Sequence, residues 1–447
     1  MLVQPLFLMR MSEADVIMER DGIDTETVLV AEKPQIRALV FPPVPLWKLA
    51  LAVVGPGLVV MLADTDAGSA IVAAQSGAQW GYRLLLLQVL LMPILYVVQE
   101  LTVRLGLVTR KGHGELIAER FGKGWAWLSV STLLVSCVGA ILTEFSGIAG
   151  VGMLFGVAPW ISISLAVIFL AVVATTGSYR RVELVAMMIG LFELAFVAVA
   201  VVSHPSGTAM LQGIANMPLG DRQYLFLLAG NVGAVIMPWM IFYQQSAVVD
   251  KRLDISQIKP ARWDTAIGAV VTQVIMAAIL ILAATTIGAK HPNASLDTVQ
   301  RIADALIPFL GSFWGKVIFA LGMLGAALVA TIVVSLTAAW GLGEVAGYKR
   351  SLVDHPFEAP WFYGIYVGSL LIGGGIVLSG INLVKLAISV NVMNALLLPI
   401  VLGFLFLLAR KALPEAWRLK GWYAWLVGFI VMFTAGLGVY AGIVGIW

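Results

Sequence analysis

The sequence GPGLVVMLADTDAGSAIVAAQSGAQWGY, residues 55–82, is an apolar stretch of membrane-spanning length that polar residues interrupt near its middle. Asp64 and Asp66 place two carboxylates there, and Gly68 and Ser69 loosen the helix at the same point. A charged side chain at the bilayer centre costs at least about 2.5–3.5 kcal/mol. We therefore expect these carboxylates to face a water-filled path or a bound cation, with unwound backbone carbonyls beside them.

The alternative to a cation site is that the two carboxylates have a structural role. In that interpretation Asp64 caps a half-helix or pairs with a basic residue of another span, and Asp66 does the same. The alternative applies more readily to Asp64 than to Asp66.

The composition excludes a soluble globular protein. Of the 447 residues, 60% are hydrophobic and 12% are charged, and the mean hydropathy is +0.96. Lysines and arginines are scattered through short loops, which argues against nucleic-acid binding, and the single Cys137 permits no internal disulfide. Residues 1–46 form a polar tail without the apolar core of a signal peptide. We expect this tail in the cytoplasm, and a short amphipathic helix on the membrane surface is the alternative.

From Trp47 onward the sequence predicts about eleven membrane-spanning helices of about 20 residues or more, as the hydrocarbon thickness requires. Their expected ranges are 47–77, 83–103, 125–155, 160–176, 184–203, 225–248, 264–288, 308–340, 362–380, 385–409 and 421–446. Every second connection is basic, as at Arg180 and Arg181 or at Lys251 and Arg252. The positive-inside rule therefore predicts a multi-pass cell-membrane protein with a cytoplasmic N-terminus and, for an odd number of spans, an external C-terminus.

A second interruption, GNVGAVIMPW at residues 230–239, lies five spans after the first. Pro238 removes a backbone donor, so carbonyls near Ala234 lose their helical partners. Broken helices at matching positions of two five-span halves indicate an inverted-repeat transporter with its site between the breaks, whereas an ordinary proline kink is the alternative. The expected membrane domain, 47–447, then contains a first repeat at 47–203, a second repeat at 225–409 and an extra helix at 421–446.

The residues at the two interruptions suit a divalent cation. Asp66 offers carboxylate oxygens and Ser69 a hydroxyl, and the unwound backbone adds carbonyl oxygens. Such hard ligands favour magnesium, calcium or manganese, whereas the thioether of Met237 favours softer transition metals. Taken alone, Met237 is somewhat better explained by packing, because methionine fills irregular gaps.

Other polar residues within the predicted spans have two interpretations each. Glu144 in the third span and Glu193 in the fifth either carry protons and attract cations or serve as buried structural partners. Asn391 and Asn394 in the tenth span either orient a hydrated ligand or bridge helices, and bridging is favoured for Asn394. All four histidines fall in predicted loops, namely His113, His204, His291 and His355.

Six stretches deserve comparison with known families. They are GPGLVVMLADTDAGSAIVAAQSGAQWGYRLLLLQ, QELTVRLGLVTRKGHGELI, TEFSG, YRRVE, GNVGAVIMPWMIFYQQSAVVDKR and SVNVMNALLLP. In this order, between about residues 47 and 409, they resemble the NRAMP family of divalent metal transporters. The resemblance implies a LeuT-like fold of two inverted five-helix repeats, with the first and sixth helices unwound around the metal.

The resemblance also implies the metal ligands. The family's first-span Asp-Pro-Gly-Asn motif places Asp66 at the metal-binding carboxylate and Ser69 where the family has an asparagine ligand. The sixth-span Met-Pro-His motif places Met237 at the thioether ligand, and Ala234 matches the ligand that binds through its backbone carbonyl.

Further positions match the family or depart from it. Asn391 matches a tenth-span glutamine of the site, and Glu144 matches a glutamate of the proton route. Trp239 replaces the motif's histidine and Ile141 stands where the family usually has an aspartate, so two groups associated with proton coupling are missing. Asp64 adds a carboxylate to the family pattern, and the shorter first-span ligand enlarges the site. This combination is similar to the NRAMP-related magnesium transporters, a branch with little proton coupling.

Two transport hypotheses follow. The first is a weakly coupled or uncoupled transporter that prefers Mg²⁺ and also carries Mn²⁺, because a roomy acidic site suits an ion that keeps several waters. The second is a proton-coupled importer of Mn²⁺ and Fe²⁺, favoured by Met237 and Glu144. The expected partners are the metal ion and the lipid bilayer, with no cofactor.

Two other classes are less compatible with the sequence. A sodium-coupled amino-acid carrier also uses broken first and sixth helices, but an acidic pair at the first break would repel the substrate's carboxylate. A membrane enzyme needs a nucleophile with its base or a cluster of metal-binding side chains, and the sequence shows neither.

Overall fold

The computed structural model describes residues 55–175, 188, 191–291, 295–296, 298–304, 307–351 and 355–447. All regular secondary structure in these ranges is helical. The predicted tail at 1–46, the beginning of the first predicted span at 47–54, and the predicted basic connection with Arg180 and Arg181 lie outside the described residues, as does the beginning of the fifth predicted span.

The described helices are numbered in chain order. Up to residue 215 they are α1 (Pro56–Asp64), α2 (Ala67–Trp80), α3 (Leu85–Thr109), α4 (His113–Phe121), α5 (Lys123–Leu154), α6 (Pro159–Thr175), α7 (Leu194–Val202) and α8 (Gly207–Ala215). Beyond it they are α9 (Arg222–Val235), α10 (Pro238–Asp250), α11 (Ile258–Ala283), α12 (Val299–Ala303), α13 (Ile307–Ala346), α14 (Pro360–Val377), α15 (Leu383–Lys411) and α16 (Gly421–Ile446). Short 3₁₀ turns precede α7 and α11, at Leu191–Glu193 and Ile255–Gln257, and a π-helical turn at Ala284–Gly288 extends α11.

The apolar helices lie at the positions of the predicted spans. Within the described ranges, eight helical segments are long and apolar enough to cross a membrane. Two bent pairs pass the same test when joined: α1 with α2, bent by 47°, and Leu191–Val202 with α8, bent by 102°. Helix α6 is apolar but shorter. The predicted all-helical, multi-pass fold class is therefore confirmed.

Both predicted interruptions are present as breaks in the helices. Thr65 and Asp66 separate α1 from α2, and Asp66 is extended at φ −66° and ψ 170°. Ile236 and Met237 separate α9 from α10, and Met237 is extended at φ −97° and ψ 139°. Pro238 begins α10, where its missing N–H would have had no helical partner. The second interruption is therefore a break between two helices rather than an ordinary kink.

Helix α9 lies so close to α15 that no side chain fits at Gly233. A Cβ atom there would overlap the carbonyl oxygen of Asn391 and lie 2.7 Å from the backbone nitrogen of Ala395. At Gly230, about one turn earlier, the nearest atom would be Val72 Cγ1 at 3.5 Å, an ordinary contact. The close approach at Gly233 fixes α15 beside the second break.

A buried polar network links the same region to the first broken span. Asn231 in α9 donates through Nδ2 to Ser76 Oγ in α2, at 2.7 Å. The Oδ1 atom of Asn231 accepts from Gln88 Nε2 in α3, at 2.6 Å. All three side chains are buried, so these bonds join α2, α3 and α9 in an apolar environment where unpaired polar groups are costly.

The short helix α4 is attached to the C-terminal end of α13 and to α10. Glu344 in α13 accepts from Gly114 N at 2.7 Å and from Ser246 Oγ at 2.6 Å. Arg350, beyond α13, forms an ion pair of 2.8 Å with Glu115 in α4. The chain between α3 and α5 is therefore part of the packed structure rather than a free loop.

His113, predicted in a loop, is the first residue of α4 and is fully buried. Its Nδ1 lies 3.0 Å from Gln245 Oε1, and Gln245 Nε2 donates to the carbonyl oxygen of Lys111 at 2.9 Å. This arrangement assigns the imidazole proton to Nδ1, and Nε2 has no partner among the described residues. The ring also packs edge-on against Phe242, with the centroids 4.8 Å apart. Burial lowers the pKa of His113 to about 4.

We expect the protein to lose stability in acid through His113. The pKa of His113 is about 4 in the folded protein and about 6.5 in the unfolded chain, so the unfolded chain takes up the proton first as the pH falls. The stabilising contribution of the buried neutral ring is therefore complete above pH 6.5 and is lost as the pH falls toward 4. The loss amounts to up to about 3 kcal/mol at 1.36 kcal/mol per unit. His113→Asn, which keeps a donor at the Nδ1 position, should flatten the dependence of the melting temperature on pH. His355→Asn, at an exposed position, is the control. Parallel curves for wild type and His113→Asn would contradict this assignment.

We expect Gly233→Ala to destabilise the protein and Gly230→Ala to be tolerated. The first substitution forces a methyl group into the backbone of α15, which costs about 1–3 kcal/mol or more, whereas the second adds a helix-favouring residue where space exists. Thermal unfolding of both variants in detergent measures the difference. Equal melting temperatures would show that α15 moves away without penalty.

Candidate metal site

Asp66 is positioned by the first break as the N-cap of α2. Its Oδ1 accepts from the backbone nitrogen of Ser69 at 2.6 Å, and the side chain is buried. The start of a helix has free N–H groups, and the Asp66 carboxylate provides an acceptor for one of them. The capping role that is the structural alternative for Asp66 is therefore present, and the extended backbone of Asp66 brings this carboxylate to the midpoint of the span.

Ser69 connects the two broken spans. Its hydroxyl donates to the carbonyl oxygen of Ala234 in α9, at 3.0 Å, while its amide holds Asp66. Ala234 lies in the last turn of α9, where carbonyl groups lack helical partners and carry partial negative charge. Three of the expected ligand residues are therefore brought together by two hydrogen bonds.

Asn391 and Met237 lie beside these groups on other elements. A Cβ atom at Gly68 would lie 3.2 Å from Asn391 Nδ2, which places this amide against the first turn of α2. The same nitrogen donates to the carbonyl oxygen of Ala387 at 3.1 Å. Met237 is buried at the N-cap of α10, three residues beyond Ala234.

Glu144 reaches the first break from α5. Its Oε2 accepts from the backbone nitrogen of Ala67 at 3.2 Å, and its Oε1 accepts from Thr143 Oγ1 at 3.0 Å. The Glu144 carboxyl group also lies close enough to that of Asp66 for the two to interact electrostatically. A proton on one carboxyl group, or a cation beside both, would relieve the repulsion between them.

Glu193 is a fourth carboxylate at the first break, after Asp64, Asp66 and Glu144. It lies in the 3₁₀ turn before α7, is buried, and is within hydrogen-bonding reach of the Thr65 side chain. Its Oε2 finds no partner in the part of the chain that the structure describes. The sequence signals this residue only as an isolated carboxylate in an apolar span, without indicating that the fifth span reaches the break.

Asp64 is the last residue of α1 and is buried with neither carboxylate oxygen hydrogen-bonded within the described residues. Neither structural alternative for it is supported, because the cap of α2 is Asp66 and no basic side chain among the described residues pairs with Asp64. The C-terminal end of a helix carries partial negative charge, which disfavours an anion and favours a cation beside it.

Three other residues singled out in the sequence have defined surroundings. Ile141 packs toward α14, where a Cβ atom at Gly373 would overlap Ile141 Cγ2. Trp239 donates its indole N–H to the sulfur of Met237. Asn394 accepts from Ser136 Oγ at 2.8 Å, so it bridges α15 and α5 as favoured from the sequence.

The candidate site is enclosed by protein. Asp66, Ser69, Ala234, Met237 and Asn391 are each at most 4% exposed. No group of three or more histidine, cysteine or acidic side chains in the described ranges has the arrangement of a metal site. The candidate ligands instead combine one carboxylate with a hydroxyl, an amide, a thioether and a backbone carbonyl, so only one of them is charged.

Comparisons with known proteins identify the family. The family model described as Natural resistance-associated macrophage protein-like (Nramp) matches residues 57–443. The divalent metal cation transporter MntH of Ralstonia nicotianae is 32% identical over 309 residues, which cover 64% of this chain and 67% of that protein.

Solved structures show the fold. The manganese transporter of Eremococcus coleocola superposes with a TM-score of 0.72 at 19% identity, over 90% of this chain and 89% of that one. Mhp1, a nucleobase-cation-symport-1 family transporter, superposes with a TM-score of 0.56 at 12% identity, over 87% of this chain and 90% of that one. The LeuT-like fold expected from the sequence is therefore confirmed.

Proposed function

The chain belongs to the natural resistance-associated macrophage protein-like family, and from this we propose that it carries divalent metal cations across the cell membrane by alternating access. One observation carries the proposal. Ser69 binds Asp66 through its amide and Ala234 through its hydroxyl, which brings a carboxylate of one broken span to a carbonyl of the other. The arrangement offers a divalent cation hard oxygen ligands from both halves of the chain.

In this proposal the metal lies between the two breaks. The Asp66 carboxylate and the Ala234 carbonyl provide its strongest ligands, and the Ser69 hydroxyl turns from the carbonyl toward the ion. Asn391 and Met237 complete the surroundings of the ion. The metal keeps part of its water shell, because few of these groups are charged.

Movement of the metal requires the half-helices to tilt about the breaks. Helices α2 and α9 are joined through Ser76 and Asn231, so we propose that they move together. Helix α1 is held at its start by Asp264 in α11, whose Oδ2 accepts from Leu58 N at 3.1 Å. We propose that this bond, like those of Glu344 to α4 and α10, breaks when the site opens at this end of the bundle.

Magnesium is the preferred substrate in the proposal, and manganese is also carried. Asp66, Ala234 and Ser69 supply oxygen, and Asp64 increases the negative charge nearby, as a strongly hydrated ion requires. The alternative is a proton-coupled importer of Mn²⁺ and Fe²⁺. Met237 favours that alternative as a soft ligand, as does the contact between Glu144 and Asp66.

Weak or absent proton coupling is the second part of the proposal. Ile141 and Trp239 carry no titratable group at the two positions where the family usually has an aspartate and a histidine. Both side chains are buried among apolar residues. Glu144 is the remaining candidate for a proton carrier.

We propose import as the direction of transport, with the N-terminus in the cytoplasm and the C-terminus outside. The orientation follows from the basic connections. A membrane potential of about 100 mV, negative inside, favours the entry of a doubly charged ion by roughly 4.6 kcal/mol, twice the value for one charge.

Asp66→Asn should reduce metal flux into proteoliposomes to the level of protein-free liposomes, since the substitution removes the charge that binds the ion. Asp221→Asn is the matched control, because Asp221 is also a helix N-cap but is exposed at the start of α9. Fluxes of Mg²⁺ and Mn²⁺ are measured with an internal pH dye. We expect Mg²⁺ entry without acidification. Acidification in a fixed ratio to metal entry would favour the proton-coupled alternative, and full flux in Asp66→Asn would refute the site.

Asp64→Asn should raise the KM for metal about tenfold while leaving the maximal rate largely intact. The substitution keeps the shape of the side chain but removes a negative charge near the ion, and tenfold corresponds to about 1.4 kcal/mol. The KM is measured in the same liposomes at constant ionic strength, with melting temperatures as a folding check. An unchanged KM would mean that Asp64 does not act on the metal.

A further inference from the structure

Trp239 contacts the one soft ligand of the proposed site. Its indole nitrogen Nε1 lies 3.1 Å from Met237 Sδ and donates its hydrogen to the sulfur. Both side chains are buried, at 0% and 1% exposure. Met237 is the N-cap of α10 and Trp239 is the second residue of that helix, so the break itself sets the distance between them.

The contact satisfies both groups. A buried indole N–H needs an acceptor. A thioether sulfur is a weak acceptor, and the lone pairs that it offers to a hydrogen-bond donor are the same ones that it offers to a metal ion. A hydrogen bond to the sulfur uses electron density that would otherwise be donated to a metal ion. The thioether therefore becomes a poorer ligand, whereas the oxygens of Asp66, Ser69 and Ala234 are unaffected.

We propose that Trp239 sets the metal preference of this transporter by hydrogen-bonding the Met237 sulfur and so weakening its binding to soft metals. The inference rests on the proposed function and adds a residue that determines specificity. Mg²⁺, and to a lesser extent Mn²⁺, bind chiefly through the oxygen ligands, whereas a softer ion such as Cd²⁺ loses the ligand that would favour it. Trp239 acts through Met237 and does not contact the metal itself.

A packing role for Trp239 makes a different prediction. Trp239 is among the largest fully buried side chains of the described residues, so its replacement affects stability in any case. Loss of packing alone would change the affinities for soft and hard metals together. Loss of the hydrogen bond would change the ratio of these affinities, and would do so only in a protein that still has the Met237 sulfur.

The test compares four proteins: wild type, Trp239→Phe, Met237→Leu and the double variant. Phenylalanine keeps an aromatic ring without the donor, and leucine replaces methionine with little change in volume. Dissociation constants for Cd²⁺ and Mn²⁺ are measured by calorimetry on the purified proteins. Trp239→Phe should raise the preference for Cd²⁺ over Mn²⁺ about threefold or more. This size is expected when one weak hydrogen bond to the Met237 sulfur is removed and the sulfur is free to bind the metal. The double variant should lack this gain.

Two comparisons keep the test decisive. Trp340→Phe removes another buried indole, in α13, and should leave the ratio unchanged. If Trp239→Phe does not fold, Met237→Leu with Trp239 retained still tests the inference. A sulfur that is already hydrogen-bonded to Trp239 contributes little to metal binding, so the ratio of Cd²⁺ to Mn²⁺ affinity should change less than about twofold. A large fall in Cd²⁺ preference in Met237→Leu, or an unchanged ratio in a folded Trp239→Phe, would overturn the inference.

The same measurements separate this inference from the proposed function. If wild type binds Mn²⁺ or Mg²⁺ and Asp66→Asn does not, the proposed site stands, and the ratios then judge Trp239 alone. If wild type binds no divalent cation, the proposed function fails and the inference fails with it.

Discussion

A helix that is broken within a membrane leaves backbone groups that water cannot satisfy, and the way in which this chain satisfies them determines the rest of the structure. At the first break, Asp66 and Glu144 accept hydrogen bonds from the amides of Ser69 and Ala67. At the second, the carbonyl of Ala234 accepts the Ser69 hydroxyl. Carboxylate and carbonyl oxygens are also the ligands that a hard divalent cation prefers. The groups that stabilise the broken backbone are thus the groups that we propose bind the metal.

Much of this organisation could be predicted because its causes are local in the sequence. Span positions follow from runs of apolar residues, and the two breaks follow from the polar residues 64–66 and from Pro238 at the middle of such runs. Gly68 and Ser69, expected to loosen the helix, instead lie within the first turn of α2. The contact between the breaks was expected from their matching positions in the two halves. Family membership supports the assignment of Asp66, Ser69, Ala234 and Met237, whose roles as ligands stay proposals.

Other features depend on contacts between distant elements, which could not be predicted from the sequence alone. Glu193 could be noticed as an isolated carboxylate, but its place beside Thr65 depends on how the fifth span packs. His113 belongs to a predicted loop and is nevertheless buried, because α10 supplies Gln245 and Phe242 around it. Trp239 was recognised only as a missing histidine. Its bond to Met237 depends on the extended backbone at the break and on both side-chain rotamers.

The double attachment of Ser69 also constrains which residues can stand at this position. One residue holds the carboxylate of the first break through its amide and the carbonyl of the second break through its side chain. The bond to Asp66 uses the backbone amide and does not need the serine side chain, whereas the bond to α9 requires the hydroxyl. A residue without a side-chain donor at position 69 would therefore separate the two breaks while leaving Asp66 capped. The link between the two halves of the chain at this point is a single hydroxyl group.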